Sequence, residues 1–277
     1  MLAISRAFRT DTKLPTWLRV ALNLAPFILI AISYVAFAIL IRYQDAHGIP
    51  TANPRCVPLP GDIWQAFLNS ITPNSGGQIM LLDDLSATGQ RFGIGLFISA
   101  LLGGPLGIYI GLFPTFTAFG KPIGDWLSKI QPLLLLPILF IFFGIGEESK
   151  IALIVLGVLP GYILEVARMT KQIRVEQIHK AQTLGASESE IAWSIVFPQI
   201  FPSMLASIRA NLSIAFGLVI AAESNAASAG LGYRIFLVRR FMDMSTILEY
   251  VMLAMLIMFA ADLLFQTWEH RYRWNNK

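Results

Sequence analysis

Residues Phe92 to Phe113 read FGIGLFISALLGGPLGIYIGLF, 22 residues without a charge. At 1.5 Å rise per residue a helix of that length crosses a hydrocarbon core of roughly 30 Å. Small residues recur in it at every fourth position: Gly95, Ser99, Gly103, Gly107 and Gly111. That period places them on one helix face, where missing side chains let a second backbone approach closely. A second uncharged run, Val20 to Ile41, is equally long. It is too long for a signal-peptide core and no small-residue cleavage pattern follows it, so it reads as a retained helix. Over the whole chain 55% of residues are hydrophobic and 14% charged, against roughly 25% charged in soluble domains. The expected class is therefore an all-α integral membrane protein.

Working outward from these runs gives about six transmembrane helices, near 20–41, 91–113, 127–145, 150–168, 203–222 and 247–266. The domain plan is a cytoplasmic tail over 1–19, a first transmembrane helix over 20–42, an external loop over 43–89 and a five-helix core over 90–277. Arg6, Arg9, Lys13 and Arg19 crowd the tail, and His270, Arg271 and Arg273 crowd the other end. Basic flanks stay in the cytoplasm, which predicts both termini inside and an even number of crossings. The loop carries Asp45, Asp62, Asp83 and Asp84 against the single Arg55, as an external segment should. Within it, Ile63 to Phe67 reads as a short amphipathic helix with Trp64 at headgroup level. Pro132 and Pro137 predict a kink in the third helix, and Pro160-Gly161 a break in the fourth. Arg209, Glu249 and Asp262 interrupt the last two helices. Arg209 is expected to snorkel, and Glu165 and Asp262 to pair with basic groups near the inner face.

Chemistry-bearing patterns are few. Cys56 is the only cysteine and His47, His179 and His270 lie far apart, so no disulfide or cysteine-rich metal site is possible within the chain. No G-x-x-x-x-G-K-[ST] loop occurs, so any ATP would be bound by another subunit. The net charge of +4 fits anchoring near acidic lipid, with no nucleic-acid partner implied. No acid/base or nucleophile pair supports an embedded enzyme. An ion-gradient-driven secondary transporter is the alternative class, but no inverted repeat is visible.

The polar stretch Lys171 to Pro198 interrupts the apolar pattern. Val175 to Leu184 has helical character, and Gly185 sits where a left-handed stop would fall. Ser187 with Glu190 three residues on forms a capping box for a second helix, whose apolar side is Ile191, Trp193, Ile195 and Val196 and which Pro198 is expected to end. Two short helices joined at a glycine make a rigid knob. It suits either a groove in a partner protein or an amphipathic rest on lipid. Charges near membrane depth mark the remaining candidates. Glu223, at the outer end of the fifth helix, is either a translocation-path residue or an anchor for the 224–232 turn. Arg234, Arg239 and Arg240 are external exceptions to the positive-inside pattern. They could focus an anionic substrate, pair with a docking protein, or be solvated loop residues.

Here the sequence resembles the membrane (permease) subunits of ABC importers. Their cytoplasmic loop follows E-A-A, three residues, Gly, nine residues, I-x-L-P. Ala181 and Gly185 match, and Ile195-Val196-Phe197-Pro198 ends the pattern with phenylalanine for leucine. His179 and Lys180 depart from the first two positions. Val57 to Pro60, Gly103 to Gly107, Phe143 to Glu147, Lys180 to Ser187, and Glu223 followed by Gly230-Leu231-Gly232-Tyr233 look like the nitrate, sulfonate and taurine branch. The resemblance implies a type I importer fold with an extra N-terminal helix, placed in the cell (inner) membrane. It implies pairing with a second copy, most simply as a homodimer, and docking on a separate ATP-binding subunit that holds ATP and Mg, this chain binding no cofactor. An external solute-binding protein would deliver a small oxyanion or organosulfonate. His179, Lys180, Ala181, Gly185, Ser187, Glu188, Glu190, Ile195 and Pro198 would then carry the coupling to the ATPase.

Overall fold

The computed structural model describes residues 16–47, 56–73, 77 and 79–272, and every regular element among them is helical. The helices are α1 (Thr16–Ala46), α2 (Pro60–Ile71), α3 (Met80–Leu112), α4 (Pro114–Leu127), α5 (Leu136–Phe143), α6 (Glu147–Lys171) and α7 (Val175–Thr183). They continue as α8 (Glu188–Glu190), a π-helical segment Ile191–Val196, α9 (Phe197–Ala226), α10 (Leu231–Val238) and α11 (Met244–Tyr272). Three of these, α3, α6 and α11, and the run from Glu188 through Asn225 are long and apolar enough to cross a membrane. A fifth crossing arises if α4 and the 132–143 segment count as one broken span. Within α1, Ile28–Gln44 is an apolar stretch among the residues whose side chains are described. The first tail arginines, Arg55 and Arg273 lie outside the described residues.

Local chemistry sets the boundaries. Asp62 accepts from the Leu59 N–H at 2.9 Å and starts α2 behind Pro60, so the amphipathic helix is longer than Ile63 to Phe67. Pro114 cannot continue the ladder of α3 but is pre-set for the first turn of α4. Glu147 and Glu148 open α6, and Arg168 and Lys171 close it, the placement a helix dipole favours.

Four boundaries differ from expectation. α3 begins at Met80, so Asp83 and Asp84 are helical and the segment before it is shorter than 43–89. The third span is not a kinked rod. α4 ends at Leu127, a 3-10 turn follows over Pro132–Leu135, and the two parts meet at 84°. Conversely, α6 runs through Pro160-Gly161 unbroken, its packing against α3 outweighing one lost ladder bond. Nor does Pro198 end a helix. The Phe197 N–H donates to Ala192 O five residues back, and this wider register lets Pro198 sit in the first turn of α9, where no N–H is required.

The most extensive contact joins α3 to α6, and the small-residue face makes it. A Cβ on Gly95 would stand 2.7 Å from Ile154, and one on Gly103 would stand 2.5 Å from Tyr162. On Gly107 it would meet Val166 at 2.6 Å and the Ile163 carbonyl at 2.8 Å. On Gly111 it would meet Thr170 at 2.5 Å. Each glycine thus meets the residue fifty-nine positions later in the chain, so the two four-residue ridges run in register. Buried Ser99 bonds its own helix at Gly95 O, 2.8 Å. Behind this seam lies the main core, Ile108, Val158, Val166, Leu212 and Val219, and the knob adds Ala181, Ile191 and Val196 to it.

Gly107→Val should lower the thermal stability of the purified protein, because the Ile163 carbonyl cannot rotate aside; overpacking of this kind costs about 1–3 kcal/mol. Gly161→Ala, on the same helix pair but with nothing within 4 Å, should leave the melting temperature unchanged or slightly raised. Equal effects would mean that the seam is not glycine-dependent.

Candidate functional site

Two features stand at opposite ends of the bundle, since Gly111 and Thr170 meet just before the knob while α3 starts at the other end.

At the knob, Ala186 N–H donates to Ala181 O and Gly185 N–H to Gln182 O, both at 3.0 Å. This pair of bonds is the Schellman stop, and Gly185 takes the φ of +82° that it demands. No atom lies within 4 Å of a Cβ placed there, so only the backbone conformation requires glycine. The second helix starts as expected. Ser187 N–H donates to Glu190 Oε2 at 2.7 Å, and Glu190 N–H donates to Ser187 Oγ at 3.3 Å. Ala181, Ile191 and Val196 are buried against the bundle and Ile195 is half-buried. His179, Lys180, Glu188 and Pro198 are exposed, and His179 contacts Gln182 Oε1 at 3.2 Å. Leu184 is 88% exposed, an apolar side chain with nothing of its own chain over it.

At the far end a charged cluster is assembled from five helices. Arg91 on α3 donates through Nη1 to Glu223 Oε1 at 2.7 Å and to Ala229 O at 2.8 Å. Its Nη2 donates to Glu147 Oε1 at 2.9 Å and its Nε to the other Glu147 oxygen, a bidentate grip. Buried Lys150 donates to Glu147 at 2.9 Å. Glu223, fully buried, also accepts from Thr88 Oγ1 at 2.8 Å and Gly232 N–H at 2.9 Å. Asp84, likewise fully buried, accepts from Gly230 N–H at 2.9 Å, Arg234 Nε at 2.8 Å and Tyr250 OH at 3.0 Å. The three acids and three cations balance. Gly230 has φ +133° and a Cβ there would lie 2.5 Å from the Glu223 carboxyl carbon, so the turn fits around the carboxylates only as glycine.

Glu223 therefore anchors the turn before α10. Arg234 is a structural partner of Asp84, separate from Arg239 and Arg240, which stay exposed on the turn after α10. Arg209 does not simply snorkel. It grips Asp262 at 2.6 and 2.9 Å. Glu165 accepts from Ser207, and its partner is thus a hydroxyl where a basic group was expected. Sequence reasoning missed Asp84, Thr88 and Arg91 as a site, although Arg91 continues the four-residue series of Gly95 and Ser99 outward and Thr88 and Asp84 follow it at helical spacings of three and four. It also missed an exposed, uncharged face on α9, Ser203, Ala210, Ser213 and Gly217.

This arrangement defines a class, a multi-pass α-helical membrane protein with a small helical knob at one end. A family model described as the binding-protein-dependent transport system inner membrane component matches residues 103–274. The chain belongs to that family, as a permease subunit in the nitrate, sulfonate and taurine branch of ABC importers. Among its relatives, the taurine transport system permease protein TauC of Escherichia coli is 31% identical over 76% of this chain and 77% of its own length. The putative aliphatic sulfonates transport permease protein SsuC of the same organism is 27% identical over 95% of both. The nitrate import permease protein NrtB of Synechocystis is 24% identical over 75% of this chain and 74% of its own. A chain of the MetNI methionine ABC transporter, in an inward facing conformation, shares the fold with a TM-score of 0.56 at 19% identity, covering 68% of this chain and 95% of that one.

Glu223→Ala would take from buried Arg91 one of its two carboxylate partners and strand the Gly232 N–H, a loss of about 1–3 kcal/mol for buried polar groups left unsatisfied. Arg234→Gln should destabilise in the same way, and Arg239→Gln with Arg240→Gln should not. Melting temperatures of the purified variants check this; equal stability of all of them would remove the cluster from the account.

Proposed function

We propose that the chain forms the translocation path of an ATP-driven importer for a small oxyanion or organosulfonate of the taurine, sulfonate or nitrate kind. A separate subunit, carrying ATP and Mg, docks on the knob, and an external binding protein delivers the solute. The observation that carries the reading is the knob itself. It is stopped by a Schellman turn, started by a capping box, fused to the main core on one side and left with exposed Leu184, His179, Lys180 and Glu188 on the other. Such a piece passes a push to the bundle without bending, which is what coupling requires of it. Ser187 and Glu190 keep its shape, and Ala181, Ile195 and Pro198 join it to α9.

Both termini then lie in the cytoplasm, and the membrane is the cell's inner one. A second copy completes the path, most simply as a homodimer across the small face of α9, where Ser213 and Gly217 leave room and offer no fixed charge. Arg239 and Arg240, exposed at the outer mouth, raise the local concentration of an anionic solute or steer the binding protein.

Gly185→Val should separate ATP hydrolysis from uptake in the reconstituted transporter, because a β-branched residue at positive φ costs about 1–2 kcal/mol and shifts the knob. Gly185→Asn, which tolerates that φ, should keep most coupling; normal uptake by the valine variant would contradict the assignment. In a Cys56→Ser background, Ser213→Cys should crosslink to itself across two copies in an active complex. Monomers alone after crosslinking would count against the paired path.

A further inference from the structure

Glu249, on the second turn of α11, is 3% exposed, and its two oxygens are treated differently. Oε1 accepts from Ser70 Oγ on α2, whereas Oε2 is buried with no hydrogen-bond partner among the described residues. A buried carboxylate oxygen without a donor is costly, and such exceptions ask for a missing group. Glu249 lines an apolar groove of about 530 Å³ between α1, α2 and α11. Tyr34, Val35, Ile63 and Trp64 form one wall and roof, and Met252 and Leu256 run down the other. Ile32 on α1 and Phe259 on α11, the two helices that wall the groove, are bare apolar surface of the kind that faces a bilayer. α2 is amphipathic with exposed Trp64, the mark of the headgroup level. Its bond to Glu249 places that carboxylate at the same depth.

We infer that this groove is a phospholipid site, in which an acyl chain lies along Met252 and Leu256 and a protonated amine headgroup, as in phosphatidylethanolamine, donates to the free oxygen of Glu249. A quaternary choline headgroup has no N–H to give. Such a lipid would cement α1 and α2, which lie outside the span that the family model matches, to α11, which lies within it.

The test is native mass spectrometry of the purified protein after exchange into equal amounts of phosphatidylethanolamine and phosphatidylcholine with identical chains. The wild-type protein should retain the ethanolamine lipid roughly ten-fold over the choline lipid, the scale of one charge-assisted hydrogen bond. Glu249→Gln should bring the ratio close to one while lipid is still retained, and Met252→Trp, which fills the groove, should lose both. Equal retention of the two lipids by the wild-type protein overturns the headgroup assignment, even if Glu249→Gln fails to fold. Absence of any retained lipid, with Met252→Trp breaking up a dimer, would give the groove to a second copy and overturn the proposal altogether.

Discussion

Buried charge at the end of the bundle opposite the knob constrains everything else. Glu147 at the edge of the cluster is open to solvent, but Asp84 and Glu223 are completely enclosed and Arg91 and Lys150 nearly so. Each must therefore find its counter-charge and its remaining hydrogen bonds in the protein. That requirement brings α3, α6, α9, α10 and α11 to one point and leaves them a single arrangement. The turn 227–232 shows how narrow the solution is. Its Gly230 and Gly232 amides are donors to the two carboxylates, and a side chain on Gly230 would occupy the space of Glu223. Such clusters add little net stability compared with an apolar core, but they fix which helices meet and in what register.

Away from the cluster, the same helices are held by shape. The glycine face of α3 carries α6 along its whole length, and a shared core ties both to α9 and to the knob. The result is a continuous body from the charged cluster to Leu184, in which Pro105, Pro160 and Pro202 lie inside unbroken helices and Pro198 sits at a first turn. The bend lies elsewhere, at 84° between α4 and the 132–143 segment. On the proposed function, a permease built this way changes state by moving whole bodies past one another. Its helices need not deform.

Much of this was legible in the sequence because it is local. The charge-free run 92–113 gave the α3 span, a period of four gave its small-residue face, and the Gly185, Ser187 and Glu190 pattern gave the knob down to its backbone bonds. What was illegible depends on partners distant in sequence. Asp84 looked like one more acid in an external loop until Arg234 and Tyr250, some 150 residues on, were seen beside it. Glu165 called for a cation and met Ser207. Proline misled in both directions, since whether it breaks a helix depends on what packs around it: Pro132 stands at a break, whereas Pro160 lies inside a helix gripped by α3. In the sequence Arg234, Arg239 and Arg240 are alike as external exceptions to the positive-inside pattern, and helical geometry separates them, one turned to Asp84 and two left exposed.

The claim that cluster, seam and knob form one rigid body is most directly tested by electron–electron distance measurements on the complete transporter, with Cys56 replaced. Spin labels go at exposed Leu82, beside the cluster, and exposed Gln177, on the knob. The distance between the two within one copy should stay the same with and without ATP, while the distance between the Gln177 positions of two copies changes. A change within the copy as large as the change between copies would contradict the account.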